Sequence, residues 1–282
     1  MGRCSKDKRD VYYRKAKEEG WRARSAFKLL QLDEVFGLLQ GVRRVVDLCA
    51  APGSWSQVLS RRLFLPALSQ GVPLENLPKI VSVDLQPMAP VEGVVQLQGD
   101  ITSLVTINAV LAHFQGCPAD LIVCDGAPDV TGLHDLDEFV QGQLILAALT
   151  VVVHALRPGG TFVAKIFRGR DVSLLYSQLK LFFPEVTCAK PKSSRNASIE
   201  AFAVCRGYSP PLGFTPSKLQ ALLDARSMDV AAKELELGGE ADDVLVPFLA
   251  CGDLSGCVCA FVLRVHHSCI ALTVFSKPQL RL

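Results

Sequence analysis

Two lysines and two acids carry the chemistry suggested by this sequence: Lys28, Asp125, Lys165 and Glu200. Lys165 closes the apolar run Thr161 to Ala164, Glu200 opens the run Ala201 to Val204, and Asp125 follows Ala119 to Cys124. Lys28 interrupts the apolar face of a helical segment. Groups at the ends of buried strands in an open α/β sheet converge even when they are far apart in the chain. A lysine among carboxylates can orient a hydroxyl and take its proton, provided that its own ammonium has first lost one. The same carboxylates favour the ammonium and oppose simple base function, so Lys165 is read as a base or hydroxyl-positioning group. Lys28 completes the pocket toward a substrate oxygen or phosphate. The reaction that suits this set is group transfer to a hydroxyl oxygen.

A second constellation suits a cofactor. Val45-Val46-Asp47-Leu48 is a strand signal, Cys49-Ala50-Ala51-Pro52-Gly53 is small and turn-forming, and a helical pattern runs through Trp55, Val58 and Leu59. This is not the three-glycine dinucleotide fingerprint, and no phosphate-loop Lys-Ser/Thr pair follows, so nicotinamide redox chemistry and nucleotide hydrolysis lose their simplest support. An adenosyl sulfonium cofactor needs donors at its amino-acid end, a carboxylate for its ribose and a polar group near its adenine. Gly53 and Trp55 can frame the first, Asp84 the second and Asp100 the third. Each acid would serve equally as a turn or cap residue, Trp55 as a packing residue, and Asp47 as an internal support of the loop.

The elements that must position these groups read as a doubly wound α/β sheet. Buried strands are predicted at Val45–Leu48, Lys79–Asp84, Val94–Asp100, Ala119–Asp125, Thr161–Lys165 and Ser198–Val204, with helical crossovers at Ile101–His113 and Leu136–Leu156. An amphipathic helix is predicted over Ser25–Leu39, and Phe64–Pro78 reads as a helix end plus loop. Residues 1–24 hold nine Lys or Arg against four acids, interleaved with Tyr12, Tyr13 and Trp21, a pattern for a polyanion-facing arm. Lys190, Lys192 and Arg195 form a second basic group, read as loop, that could hold phosphates near Glu200.

With 282 residues, 49% hydrophobic, the chain suits one substantial core, and a net charge of +2 makes the placement of charge more telling than its sum. Ten cysteines without a repeated spacing, and no leader ahead of them, suggest a reduced cytoplasmic or nuclear setting. Cys49, Cys124 and Cys205 read as small core residues. Arg264, His266 and His267 interrupt the apolar stretch Cys257–Phe275 and argue against a membrane span. Cys257, Cys259, His266, His267 and Cys269 do not match a zinc-ligand spacing, so no metal is expected.

The chain closely resembles the FtsJ-like RNA 2′-O-ribose methyltransferases, and among them the eukaryotic tRNA anticodon-loop branch. The resemblance is carried by Ser5 to Asp10 with Tyr12-Tyr13, by Gly20 to Leu29, by Asp47-Leu48-Cys49-Ala50-Ala51-Pro52-Gly53-Ser54-Trp55-Ser56-Gln57, by Asp125-Gly126-Ala127-Pro128-Asp129 and by Ser193 to Glu200. It implies a Rossmann-like, mostly parallel seven-stranded sheet and S-adenosylmethionine as cofactor, with Gly53, Trp55, Asp84, Asp100 and Asp125 at binding positions. It also implies a catalytic tetrad of Lys28, Asp125, Lys165 and Glu200, and tRNA methylated at the first anticodon-loop nucleotide and the wobble nucleotide. The implied accessory partners are a HEAT- or armadillo-like protein and a WD-repeat protein, one for each site.

The resemblance assigns residues 1–209 to the methyltransferase domain and 210–282 to a C-terminal extension. It resumes at Val246 to Ser255 and then stops, so that Gly256 to Leu282 reads as a variant tail. Two competing functions are carried forward: an RNA-binding or scaffolding protein with a vestigial methyltransferase fold, and an rRNA 2′-O-methyltransferase.

Overall fold

The computed structural model describes residues 10–128, 134–168, 172–195, 198–217 and 219, with three further strands at 246–251, 261–266 and 269–274. Its first seven strands are β1 (Arg44–Leu48), β2 (Lys79–Asp84), β3 (Val94–Gln98), β4 (Ala119–Cys124), β5 (Leu156–Phe167), β6 (Glu185–Pro191) and β7 (Glu200–Arg206). They lie side by side in the order β3-β2-β1-β4-β5-β7-β6. β1 to β5 run parallel, and β7 is antiparallel to both β5 and β6. This is the doubly wound arrangement expected. The sheet is nevertheless ten-stranded: β8 (Val246–Cys251) joins β6 in parallel, and β9 (Phe261–His266) and β10 (Cys269–Val274) follow antiparallel. Part of the segment read as an extension therefore lies in the same sheet.

Strand alternation sorts the side chains between two apolar clusters, one on each face. Val46, Leu48, Val81, Val83, Ile122, Cys124, Phe162 and Ala164 join one, packed with helices α5 (Leu104–His113), α6 (His134–Ala155) and α7 (Val172–Lys180). Val45, Ile80, Leu121, Val123, Val163, Phe202 and Val204 join the other, with helices α2 (Ala26–Phe36) and α3 (Ser54–Leu59). Burying each such aliphatic or aromatic side chain contributes about 1.5–3 kcal/mol. The same two-residue period fixes the polar positions: Asp47 is two after Val45, Asp125 two after Val123, Lys165 two after Val163 and Glu200 two before Phe202. All four belong to the α2 face, where Lys28 sits on the buried stripe with Ala26, Leu29 and Leu32.

Helix boundaries follow local chemistry. α2 stops at Phe36 because Gly37 takes φ 60° and its N–H closes on Asp33 O. Helix α1 (Val11–Glu18) is capped by Asp10, whose Oδ1 accepts from Tyr12 N and Tyr13 N. Phe64–Pro78 is more helical than expected: α3 passes through a π-helical turn at Ser60–Phe64 into α4 (Leu65–Ser69), and a 3-10 turn follows at Leu74–Asn76. Lys190, expected in a loop, belongs to β6, a strand that its mixed Glu185-Val-Thr-Cys-Ala-Lys-Pro sequence concealed. Cys124 and Cys205 are buried as expected, whereas Cys49 is half-buried. Among the described residues no helix is long and apolar enough to cross a membrane.

Candidate active site

The chain passes from β3 back across β1 to β4, so the crevice beyond the C-terminal ends of β1 and β4 is the topological switch point of the sheet. Lys28, Asp125, Lys165 and Glu200 meet there as an alternating square. Lys28 Nζ donates to Glu200 Oε2 at 2.8 Å and lies 3.8 Å from Asp125 Oδ1. Lys165 Nζ lies 2.9 Å from Asp125 Oδ1 and 3.8 Å from Glu200 Oε2, and donates to Asp125 O at 2.6 Å. Lys28 and Lys165 expose 9% and 8% of their surface, which only such pairing makes tolerable. Burial pushes the Lys165 ammonium toward deprotonation, but Asp125 and Glu200 outweigh it and hold the pKa above its ordinary value. Burial likewise pushes the Glu200 carboxyl up, and Lys28 and Lys165 more than reverse it. Two positive charges thus balance two negative ones in the ligand-free site.

Glu200 has a support that sequence reasoning did not assign. Ser194 Oγ donates to Glu200 Oε1 at 2.8 Å. The loop bearing Ser194 is tied to the helices in front of it: Gln31 Oε1 accepts from Ser193 N at 2.9 Å, and Arg24 donates to Ser193 O while pairing with Asp10. Arg195 Nε also lies 3.8 Å from Asp10 Oδ2. Ser193 and Ser194 stood inside a recognisable motif, but a serine's partner cannot be read from its neighbours in the chain. Lys190 Nζ donates to Ser198 O at 2.6 Å and steadies the approach to Glu200.

Beside the square lies a small cleft lined by Ser25, Asp47, Cys49, Ala50, Ala51, Ser54, Trp55 and Asp125. Its floor is acidic. Asp47 is buried, with Oδ2 accepting from Ser56 Oγ at 2.6 Å and Oδ1 without a hydrogen bond among the described residues. Burial chiefly, with Asp125 and Asp84 nearby, pushes the Asp47 carboxyl up to about 7. Asp84, at the end of β2, accepts from Ala51 N at 2.8 Å and Gln86 N at 2.7 Å. Asp100 accepts from Thr102 N and Thr102 Oγ1 through Oδ1. Both acids therefore fill the turn role that the sequence allowed, at the end of β2 and just beyond β3. Gly53 takes φ 98°, and a Cβ there would stand 2.5 Å from Arg22 Nη1. Arg22 meanwhile donates to Pro52 O and Pro90 O, fastening this loop to the one after β2.

Trp55 is placed differently from the other expected binding residues. Its indole lies in the α2-side core, 5.6 Å from the Phe202 ring, and Nε1 donates to Ser25 O at 2.9 Å. The side chain packs in the core, and Trp55 also lines the cleft at the start of α3. Cys49, with φ 54°, lines the cleft; the Cys124 thiol beside it and burial push the Cys49 thiol up, so it remains protonated and is no nucleophile.

Basic groups around a buried Lys-Asp-Lys-Glu square, next to an acidic cleft framed by small residues, are what a methyl donor and a hydroxyl acceptor require. The family model described as FtsJ-like methyltransferase matches residues 21–208. The chain belongs to the FtsJ-like methyltransferase family. A mouse protein named tRNA (cytidine(32)/guanosine(34)-2′-O)-methyltransferase is 64% identical over 255 residues, 90% of this chain and 75% of the relative. A Schizosaccharomyces pombe protein of the same name is 59% identical over 258 residues, 91% of this chain and 85% of the relative. Among solved structures, one described as a ribosomal RNA methyltransferase from Plasmodium falciparum superposes with a TM-score of 0.58 at 26% identity, covering 68% of this chain and all of that one. These relatives agree with the resemblance read from the motifs. Strands β1 to β7, the square and the acidic cleft all fall within residues 21–208.

Proposed function

We propose that this protein transfers the methyl group of S-adenosylmethionine to ribose 2′-hydroxyls of the tRNA anticodon loop, at nucleotides 32 and 34. The observation that carries the reading is the buried square of Lys28, Asp125, Lys165 and Glu200 abutting the acidic cleft. The tRNA assignment rests on the 64% and 59% identical relatives bearing that name, which outweigh the 26% identical structure described as an rRNA methyltransferase.

The residues present fit the cofactor. A cleft lined by Asp47 and Asp125, with Asp47 Oδ1 buried and without a hydrogen bond among the described residues, and with Asp84 and Asp100 at or just beyond the ends of β2 and β3, suits a ligand with an ammonium, a sulfonium, ribose hydroxyls and an adenine amine. It would repel the phosphates of a dinucleotide. Asp47 and the start of α3 at Gly53 and Trp55 would hold the amino-acid end, Asp84 the ribose and Asp100 the base. When bound, the cofactor supplies an electrophilic methyl group.

The protein's own part is to place and deprotonate the acceptor hydroxyl. Lys28 and Lys165 each present an ammonium to the same point, and Glu200 and Asp125 fix where those ammonium groups stand. Lys165 must shed its proton before it accepts one from the 2′-hydroxyl. Asp125 and Glu200 then stabilise the ammonium that forms. Arg24 and Arg195 beside Asp10, Lys190 beside the chain leading to Glu200, and Lys192 in the loop that carries Ser194 are the groups to hold flanking phosphates. Phosphate contacts position RNA without reading bases, which leaves the choice between nucleotides to loop shape and to accessory HEAT/armadillo-like and WD-repeat proteins.

The test is incubation of the full chain with labelled S-adenosylmethionine and unmodified tRNA, with and without such partners, followed by mapping of ribose methylation and repetition with Lys165→Ala. Transfer to nucleotides 32 and 34 that is lost in the variant supports the reading. RNA binding without transfer by a protein that binds the cofactor supports the scaffolding alternative, and transfer to rRNA alone supports the other.

A further inference from the structure

The β4–β5 ladder ends at the pair Cys124↔Ala164, immediately before both Asp125 and Lys165. Asp125 leaves the sheet there while Lys165 stays in β5 paired with Phe202 of β7, so no β4–β5 pairing fixes the separation of these two groups. Across that gap stands Gln141 of α6, buried to 2% of its surface. Its Nε2 donates to Lys165 O at 2.8 Å and to Gly126 O at 3.3 Å. A primary amide carries two hydrogens on one nitrogen, so one side chain can bridge two carbonyls that face each other over the gap. Lys165 Nζ in turn donates to Asp125 O, and the contacts run in a closed ring through Gln141, Lys165, Asp125 and Gly126.

We propose that Gln141 is a positioning residue that sets the separation of Lys165 and Asp125 for methyl transfer, an inference that rests on the function proposed above. Packing alone does not account for a glutamine here. The Gln141 Oε1 is buried without a hydrogen bond among the described residues, an arrangement that a methionine of the same length would avoid, and Asp137 and Thr150 are the other buried polar residues of α6 among the described residues. The amide acts through the backbone at Lys165 and Gly126 and does not itself meet the substrate.

The test uses the full chain, unmodified tRNA and labelled S-adenosylmethionine, with Gln141→Met, which keeps the length and loses both donors, and Gln141→Asn, which keeps the donors on a shorter stem. Displacement of a reacting group by about 1 Å costs on the order of 100-fold in rate, so Q141M is expected to lower kcat by roughly that factor with KM for both substrates within about twofold. The alkaline ascent of its pH–rate profile should also move to lower pH, because a looser Asp125 contact holds the Lys165 proton less firmly. Cofactor binding counts the folded sites, and Q141N carries the same two readouts if Q141M does not fold. An unchanged kcat per folded site with an unmoved ascent overturns the positioning role and leaves the functional reading standing. Wild-type protein that binds the cofactor yet methylates no tRNA overturns both.

Discussion

Lys165 Nζ stands 2.9 Å from Asp125 Oδ1 and also donates to Asp125 O at 2.6 Å, so a single acid holds this ammonium through both its side chain and its backbone. Burial opposes that charge, yet Asp125 and Glu200 together raise the Lys165 pKa above its ordinary value. A base must be unprotonated to act, so kcat should climb with pH through the alkaline range rather than level off near neutrality. Glu200→Gln removes one of the two carboxylates and should move that ascent to lower pH while lowering its plateau. A pH–rate profile of both proteins checks this; an ascent at the same pH in E200Q would show that Lys165 is not the group titrating.

Asp47 gives a stability prediction of the opposite sign to that of most acids. Its carboxyl is pushed up to about 7, so between the ordinary carboxylate range and about 7 the folded protein holds a proton that the unfolded chain has released. The unfolded state binds fewer protons across this window, and stability falls as pH rises through it. Asp47→Asn keeps an acceptor for Ser56 Oγ and removes the charge. Relative to wild type it should be stabilised at pH 8 by an amount on the order of 4 kcal/mol at most, and little changed at pH 4. Thermal unfolding of the cofactor-free proteins at both pH values measures the difference, which must grow with pH for the argument to stand.

The strands and acids that build the crevice were legible because β1, β2 and β4 are short apolar runs, each with an aspartate within one residue of its C-terminal end. β1, β2 and β4 lie within a residue or so of their expected bounds. The period-two relation of Asp125 to Val123 and of Lys165 to Val163 was equally present in the sequence, and it decides the face on which the square forms. β6 escaped because Glu185 to Pro191 mixes charge, proline and small residues; it is a strand through its pairing with β7 and β8, which no local pattern records. Helix α7 was not assigned from the sequence, although Gly169 and Asp171 precede Val172 as turn-type and cap-type residues. Ser194 and Gln141 were invisible as site residues because each acts on a partner brought to it by the fold. Trp55 was legible as either a binding or a packing residue, and only its indole contacts show how its side chain is used.

Trp55 joins the cofactor loop to α2 by one hydrogen bond and by ring packing, and these can be separated. Trp55→Phe retains most of the apolar contact with Phe202 and removes the donor to Ser25 O, at a cost of about 1 kcal/mol. Trp55→Ala removes both and should cost about 3–5 kcal/mol. Denaturant unfolding distinguishes the two. If the indole served chiefly to hold cofactor, W55F would instead unfold like wild type and lose cofactor affinity.

Lys192 and Arg195 lie on the loop that carries Ser194, and Arg195 approaches the Asp10 cap of α1, so RNA held here would lie beside the square rather than on the acidic cleft. Each phosphate contact to single-stranded nucleic acid contributes about 0.7 to the slope of log affinity against log salt. The double variant Lys192→Ala with Arg195→Ala should therefore weaken tRNA binding and flatten that slope by about 1 to 1.5. Affinity for S-adenosylmethionine should not change, because the groups assigned to it lie on or follow β1, β2, β3 and β4, whereas Lys192 and Arg195 lie between β6 and β7. Filter binding across a salt series and cofactor titration of the same protein measure the two effects separately. A weakened cofactor affinity with an unaltered salt slope would place the RNA elsewhere on the surface.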